Sequence, residues 1–387
     1  MLQLPPLQIT DQQDCRFYLF DNLQSLWKMA AGHGQSHRNI LYESRQVAEI
    51  MEDNNEVNVS DTSVLAVVDE HVWSLHKEQI KKTFPEISTR FFILPSGEKS
   101  KSVGMWSRLL DFVFSGSVRR NTPFVAIGGG VTGDLAGFAA SSLLRGLPLY
   151  HVPTTLLAMV DSAIGGKTGI NHAFGKNTIG SFYQPEAVMF DLSFLDTLPQ
   201  REWLCGLSEV IKYGYISNPM MLMDAARLAD PRTRNEALLQ QVIEQSVRIK
   251  TSIVAEDARE SGKRSWLNFG HTFAHALETL DLYKNINHGE AVFTGMIAAL
   301  YVSRKLGYEV TDEHLVGLKQ VYNLKPAQYT SSVDKLVTLM NNDKKNRDKH
   351  IRLVLLQTYG KPVIHALDEP ALLAEAWRYT FKVLHNN

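Results

Sequence analysis

The sequence has little cysteine: Cys15 and Cys205 are the only two among 387 residues. Two thiols close at most one disulfide and cannot form a four-thiolate zinc site. A disulfide-framed secreted scaffold and a zinc ribbon are therefore excluded, and a reducing compartment fits. An excess of one charge is also missing. Forty Lys and Arg against 41 Asp and Glu leave a net charge of -1, so no overall field recruits nucleic acid or an anionic membrane. No apolar run reaches the ~18 residues that a bilayer-crossing helix needs. The opening MLQLPPLQITDQQD has no basic stretch leading into an apolar core, as a secretory signal would. Internal repeats and low-complexity tracts are lacking as well. The expectation is a cytoplasmic globular protein that binds neither nucleic acid nor membrane, with 44% apolar and 21% charged residues. Its length suits two domains of ~150–200 residues each.

Three apolar runs with β character do stand out. They are Val64-Leu65-Ala66-Val67-Val68, ending at Asp69; Phe91-Phe92-Ile93-Leu94, followed by Pro95-Ser96-Gly97-Glu98-Lys99; and Phe124-Val125-Ala126-Ile127. Ser102 to Ser115, between the second and third, has the apolar spacing of an amphipathic helix. Strand, helix and strand in this succession predict a parallel sheet covered by helices, with ligand-contacting loops at the carboxyl ends of the strands. His33 to Val47 is expected to add a strand and a helix, and Glu52 to Asp61 a polar loop. After Asp196 the texture changes. Leu198-Pro199 interrupts the pattern, and from Glu202 to about Arg304 apolar residues recur at helical spacing. The chain thus reads as an α/β domain with a parallel sheet over residues 1–197 and a mostly α-helical domain over 198–387. One late β-like run, Ile351 to Leu356, follows the charged loop Asn342 to Lys349.

The third β run breaks into Gly128, Gly129, Gly130 and Gly133, of which Gly128, Gly130 and Gly133 satisfy G-x-G-x-x-G. A strand that ends in glycine and hands over to a helix lets backbone N–H groups approach a phosphate closely. The dinucleotide fingerprint is incomplete, however. About 20 residues on, where a ribose-binding acid belongs, the chain reads Leu149-Tyr150-His151-Val152, so something else would have to hold a ribose. Two more glycine-bracketed turns, Gly165-Gly166-Lys167-Thr168-Gly169 and Gly175-Lys176-Asn177, follow Asp161. They set cationic and amide donors beside flexible backbone, which suits a phosphorylated ligand; plain solvated loops are the alternative.

The helical part carries a second constellation. His271 and His275 lie four residues apart on one helix face, and His288 could bring a third imidazole. Glu209, with Lys212 one turn on, belongs to another helix. A carboxylate with two or three imidazoles could hold a divalent metal and leave a position open; ordinary core or surface histidines are the other reading.

Taken as an ordered series, these blocks resemble the 3-dehydroquinate synthases, from about Asp69 to Gly360. The series is Gly128 to Asp134, Val152 to Ala158, Asp161-Ser162, Gly165 to Gly169, Gly175-Lys176-Asn177, Glu209 to Lys212, Asn268 to Phe273 and His288 to Val292. The resemblance implies an NAD-binding α/β domain followed by a helical domain, an active site in the cleft between them, and a homodimer. It assigns Glu209, His271 and His288 to a zinc or cobalt ion, which makes His275 a proton-transfer group instead of a ligand. Glu260 matches a second acid–base position, and Lys212 a catalytic, substrate-facing one. Asp69, Glu98, Lys99, Gly129, Gly130, Val131, Asp134, Thr154 and Thr155 match NAD-contacting positions. Arg145, Asp161, Lys167, Lys176, Asn177, Lys250, Arg264 and Asn268 match substrate positions, as does one lysine of Lys344-Lys345, taken as Lys345. Cys205 departs from the small or amide residue the family pattern leads one to expect.

The implied reaction takes a seven-carbon keto-acid sugar phosphate, 3-deoxy-D-arabino-heptulosonate 7-phosphate, to 3-dehydroquinate. It proceeds by transient NAD-dependent oxidation, β-elimination of phosphate, reduction and ring closure. Three alternatives stand beside it: a sedoheptulose 7-phosphate cyclase of the same superfamily, a metal-dependent polyol dehydrogenase, and an inactive homologue serving as a binding module.

Overall fold

The computed structural model describes residues 7–8, 15–19, 21–31, 64–257, 262–282, 284–324, 326–341 and 350–385. The elements expected within His33 to Val47 and Glu52 to Asp61 lie outside these residues. The chain divides into two compact units, Met1–Leu198 and Pro199–Asn387.

The first unit contains β1 (Leu7–Gln8), β2 (Arg16–Leu19), α1 (Leu23–Ala31), β3 (Val64–Asp69), α2 (Glu70–Thr83), β4 (Thr89–Leu94), α3 (Val103–Phe114), β5 (Phe124–Gly128), α4 (Gly130–Ser142), β6 (Leu149–Pro153), β7 (Lys167–His172), β8 (Gly175–Phe182) and β9 (Ala187–Phe190). Seven strands form one sheet in the order β1-β2-β9-β6-β5-β3-β4. Every neighbouring pair is parallel except β1–β2.

The apolar runs form strands because the sheet is covered on both faces, where a continuous run of Val, Ile and Phe leaves no side chain in water. Alternation splits each run between two cores. Ala66, Val68, Val125 and Ile127 pack with Leu26, Ile80 and Phe84 from α1, α2 and the residue after α2. Leu65, Val67, Phe124 and Ala126 pack on the opposite face with Leu109 and Val113 of α3 and Leu135 and Ala139 of α4. Each fully buried side chain of this size contributes about 1.5–3 kcal/mol relative to exposure. Because β4, β3, β5 and β6 are adjacent and parallel, their carboxyl ends lie along one sheet edge. Strands β7 and β8 form a separate antiparallel hairpin, which rests on α4.

The second unit contains α5 (Gln200–Ile216), α6 (Met220–Ala229), α7 (Glu236–Glu256), α8 (His271–Leu280), α9 (His288–Lys305), α10 (Glu313–Tyr322), α11 (Val333–Asn341), β10 (Ile351–Thr358), β11 (Lys361–Leu367) and α12 (Pro370–His385). Helix α9 is its axis: residues 291–300 are all buried, and α5, α8, α12 and β10 pack around it. Such a helix, apolar all round, must lie at a core. Its start is fixed by a capping box, in which Asn287 Oδ1 accepts from Glu290 N and Glu290 Oε2 accepts from Asn287 N. No helix among the described residues is long and apolar enough to cross a membrane.

Candidate functional site

Helix α5 buries almost its whole length, and with it Glu209, which is 0% exposed. A buried carboxylate is costly unless cations or donors meet it. Lys212, one turn on and also buried, forms an ion pair with Oε2. The other oxygen, Oε1, faces two imidazoles: His271 Nε2 at 3.7 Å and His288 Nε2 at 3.5 Å. Among the described residues, no hydrogen bond of good geometry reaches Oε1. One ligand atom from each of the three residues lies within 4.8 Å of the others. A single divalent cation at this point would satisfy Oε1 and both nitrogens, so the donor set fits a zinc- or cobalt-like ion. His275 lies outside the cluster, its ring edge-on to that of His271 at 5.7 Å.

Close helix approaches gather these residues. Gly270 has φ +79°, the left-handed conformation that begins α8, and its carbonyl oxygen lies 2.1 Å from where a Cβ on Gly295 of α9 would be. A Cβ on Gly289, next to His288, would stand 2.3 Å from Cys205 Cα on α5. Side chains at either glycine would force apart the helices that carry the three clustered residues. Cys205 is buried at this contact, where its Sγ accepts from Gly289 N at 3.2 Å, and burial raises its thiol pKa.

The electrostatics suit a cation too. Burial, then the charges of Lys212, His288 and His275, hold His271 well below its usual pKa, so its lone pair is available. Burial opposes charge on His288 as well, but Glu209 and Glu278 outweigh it and push that group up to about 10.

The loop leading to His288 is organised by Asp281. Its carboxylate accepts from the backbone N–H groups of Lys284, Asn285 and Ile286 and from Tyr329 Oη at 2.8 Å. Burial would raise its pKa from 3.8, but these hydrogen bonds outweigh burial and lower it to about 2. A depressed carboxylate pKa stabilises the fold above the unfolded value and loses that contribution as pH falls through the folded one. Asp281→Asn should therefore cost about 1–3 kcal/mol at pH 7. In urea unfolding run at stepwise lower pH, the gap to the unmutated protein should narrow between about 4 and about 2. A gap constant over that range would contradict this account.

Among the described residues of the second unit, three Lys and Arg side chains are buried: Lys212, Lys250 and Arg264, the last 1% exposed. Lys250 lies on the inner face of α7. Arg264 and Asn268 belong to a short turn, Lys263–Asn268, that packs against α5 and α7.

In the first unit, the sheet edge collects the nucleotide-contacting candidates. Asp69 ends β3, Glu98 and Lys99 follow β4, Gly129 to Asp134 follow β5, and Thr154 and Thr155 follow β6. The Gly129 N-cap of α4 has no side-chain cap, leaving N–H groups at a helix start that suits phosphate. A Cβ on Gly129 or Gly130 would come within 3.0 Å of Thr155 or Ser162. Close beside them, the hydroxyl oxygens of Thr132, Thr154 and Ser162 are buried with no hydrogen-bond partner among the described residues. Orphaned buried hydroxyls around a bare helix start fit a bound nucleotide. Asp69 Oδ1 is already engaged, accepting from His71 N, Val72 N and Ser96 Oγ.

Residues 91–205 match the family model described as 3-dehydroquinate synthase N-terminal, and residues 206–346 match its C-terminal counterpart. The chain belongs to the 3-dehydroquinate synthase family. It is 44% identical to the 3-dehydroquinate synthase of Nitrosospira multiformis over 294 residues, which cover 73% of this chain and 78% of that one. Among solved structures it resembles a 2-deoxy-scyllo-inosose synthase in complex with carbaglucose-6-phosphate, NAD+ and Co2+. The TM-score is 0.77 at 23% identity, over 97% of this chain and 99% of the other. It also resembles ValA, a 2-epi-5-epi-valiolone synthase from Streptomyces hygroscopicus with NAD+ and Zn2+ bound. Here the TM-score is 0.73 at 23% identity, over 90% and 99% of the two chains.

In this member of the 3-dehydroquinate synthase family, two further residues, Lys101 and Asn171, tie the candidate nucleotide and substrate positions together. Lys101, not the exposed Lys99, is the buried lysine after β4. Its Nζ donates to Asp134 Oδ2 at 2.6 Å and to Asn177 Oδ1. Asn171 Nδ2 donates to Glu98 Oε1 at 2.7 Å, while Asn171 Oδ1 accepts from Asn177 N at 2.9 Å. Glu98, Asp134 and Asn177 are thereby joined in one network. The only available signal was two lysines in Glu98-Lys99-Ser100-Lys101, and the sequence alone does not say which one turns inward. Arg145 is exposed, with φ +70°, in the turn after α4; Lys167 begins β7, Lys176 sits on β8, and Asp161 lies in a π-type turn. Glu260, Lys344 and Lys345 lie outside the described residues.

Proposed function

We propose that this protein converts 3-deoxy-D-arabino-heptulosonate 7-phosphate to 3-dehydroquinate and phosphate. The steps are transient NAD-dependent oxidation, β-elimination, reduction and intramolecular aldol closure. The observation that carries this reading is the convergence of Glu209, His271 and His288 in a chain of this family. When bound, NAD would supply a reversible acceptor for the hydride on the carbon that bears one substrate hydroxyl, the O–H proton passing to a base, and a zinc or cobalt ion would polarise that oxygen. Glu209, His271 and His288 would hold the ion, and Lys212 balances the buried carboxylate. His275 and Glu260 are the proposed proton-transfer groups, and Lys212 is the third proposed catalytic residue. The proposed substrate contacts are Arg145, Asp161, Lys167, Lys176 and Asn177 in the first unit, and Lys250, Arg264, Asn268 and Lys345 in the second. Guanidinium and ammonium groups suit the phosphate and carboxylate of such a molecule. Asp69, Glu98, Lys99, Gly129, Gly130, Val131, Asp134, Thr154 and Thr155 are the proposed NAD contacts. A homodimer in the cytoplasm is part of the proposal; the two buried free thiols agree with a reducing compartment.

The test is an assay of the purified enzyme with metal, substrate and NAD well below the substrate concentration. Phosphate release should run far beyond one equivalent of NAD, with no build-up of NADH absorbance. NADH growing in step with substrate consumed would favour a polyol dehydrogenase. No phosphate release at all would favour the inactive homologue.

A further inference from the structure

We propose that Glu278 is the positioning residue that holds His288 ready to bind the metal; the inference rests on the metal reading above. An imidazole ligates through one nitrogen, and whatever accepts a hydrogen bond from the other fixes its tautomer and ring direction. The two histidines of the cluster solve this differently. His271 Nδ1 is 3.2 Å from the carbonyl oxygen of Phe269, one residue before its own helix cap, which leaves Nε2 toward Glu209. His288 is the first residue of α9, and its Nδ1 instead meets Glu278 Oε1 at 3.4 Å while its Nε2 faces Glu209.

Glu278 belongs to α8, two turns after His271, so one face of one helix carries both a ligand and the tether of another ligand. Its neighbours Phe273, Ala274, Ala276 and Leu277 are buried, and Glu278 itself is 4% exposed. A carboxylate in that setting is destabilising unless a partner compensates it, and no apolar helix face requires one. It lies across the imidazole from Glu209 and outside the three-residue ligand cluster, so it acts through His288. A carboxylate acceptor also makes the imidazole a stronger donor to a cation than a carbonyl would.

The test is titration of Co2+ into metal-free enzyme, followed by the visible absorption of the bound ion. Glu278→Gln keeps the shape and an acceptor oxygen but loses the charge, and Glu278→Ala removes both. The expected order of Co2+ affinity is wild type, then Gln, then Ala, with the Ala variant weakened about 10–100-fold. For the Gln variant, the melting temperature of the metal-free protein and kcat at saturating Co2+ should stay close to wild type. Those two readings separate positioning of a ligand from general support of the fold. Unchanged Co2+ affinity in both variants would overturn the inference alone. So would a fall in kcat at saturating Co2+ with affinity kept. A wild-type protein that takes up no Co2+ would overturn the metal reading and this inference with it.

Discussion

With His271 replaced by alanine, the protein is expected to remain folded, retain no metal after dialysis and show no turnover. The substitution removes the nitrogen 3.7 Å from Glu209 Oε1, leaving one imidazole and one carboxylate, too few for a firmly held ion. Loss of an outer-shell partner already weakens a metal site about 10–100-fold, and loss of a ligand should exceed that range. The fold should survive because His271 is the first residue of α8, where alanine is the better helix former, and because its side chain faces the cluster rather than the apolar core. His275→Ala is the control. It lies on the same helix outside the ligand set, so it should keep the metal and lose turnover. Elemental analysis decides: full metal occupancy in His271→Ala would sink the ligand assignment whatever the activity.

The contrast between His271 and His275 also marks how far the sequence could be read. Helical periodicity correctly puts the two on one face, but a shared face is no guide to a shared ligand. The third member comes from α9 and the carboxylate from α5, and what brings them together is backbone contact at Gly270–Gly295 and Gly289–Cys205. Those contacts are written in the sequence only as glycines, which look the same as turn glycines until the partner helix is known. The parallel sheet was legible because it is buried on both faces. Val64 to Val68, Phe91 to Leu94 and Phe124 to Ile127 became β3, β4 and β5, and Ser102 caps α3 through Met105 N. Ile351 to Leu356 form part of β10, but its partner β11 is hard to read from sequence because three of its seven residues are exposed and one is Pro362, which blurs the strand pattern. The β7–β8 hairpin was read as two turns. Lys167 to Gly169 and Gly175 to Asn177 instead lie in the two strands, and the alternation is weak because no residue of β8 is fully buried.

Arg264→Ala should lower kcat/KM for 3-deoxy-D-arabino-heptulosonate 7-phosphate by about 10- to 150-fold, the loss of a charge-assisted contact of about 1.5–3 kcal/mol. It should do far less to any cyclisation of sedoheptulose 7-phosphate, which lacks the carboxylate. The reasoning starts from burial. A substrate carboxylate entering a dry site must exchange water for fixed cations and amide donors, or its desolvation is uncompensated. Arg264 is 1% exposed and Lys250 is buried, while Asn268, at the end of the Arg264 turn, offers a neutral amide that does not repel an anion. The turn itself should persist in the variant. Its backbone is fixed independently of the guanidinium, through Asp257 Oδ2, which accepts from Gly262 N at 2.7 Å and from Arg264 N at 3.0 Å. Melting of the variant checks that the truncated side chain has not unfolded the unit. Both substrates are then assayed side by side with wild type and variant. Equal losses on the two would mean that Arg264 does not read the carboxylate. Faster cyclisation of sedoheptulose 7-phosphate by the wild type would change the substrate while leaving the cyclase chemistry in place, because the proposed metal ligands and the lysines proposed to meet phosphate would serve either molecule.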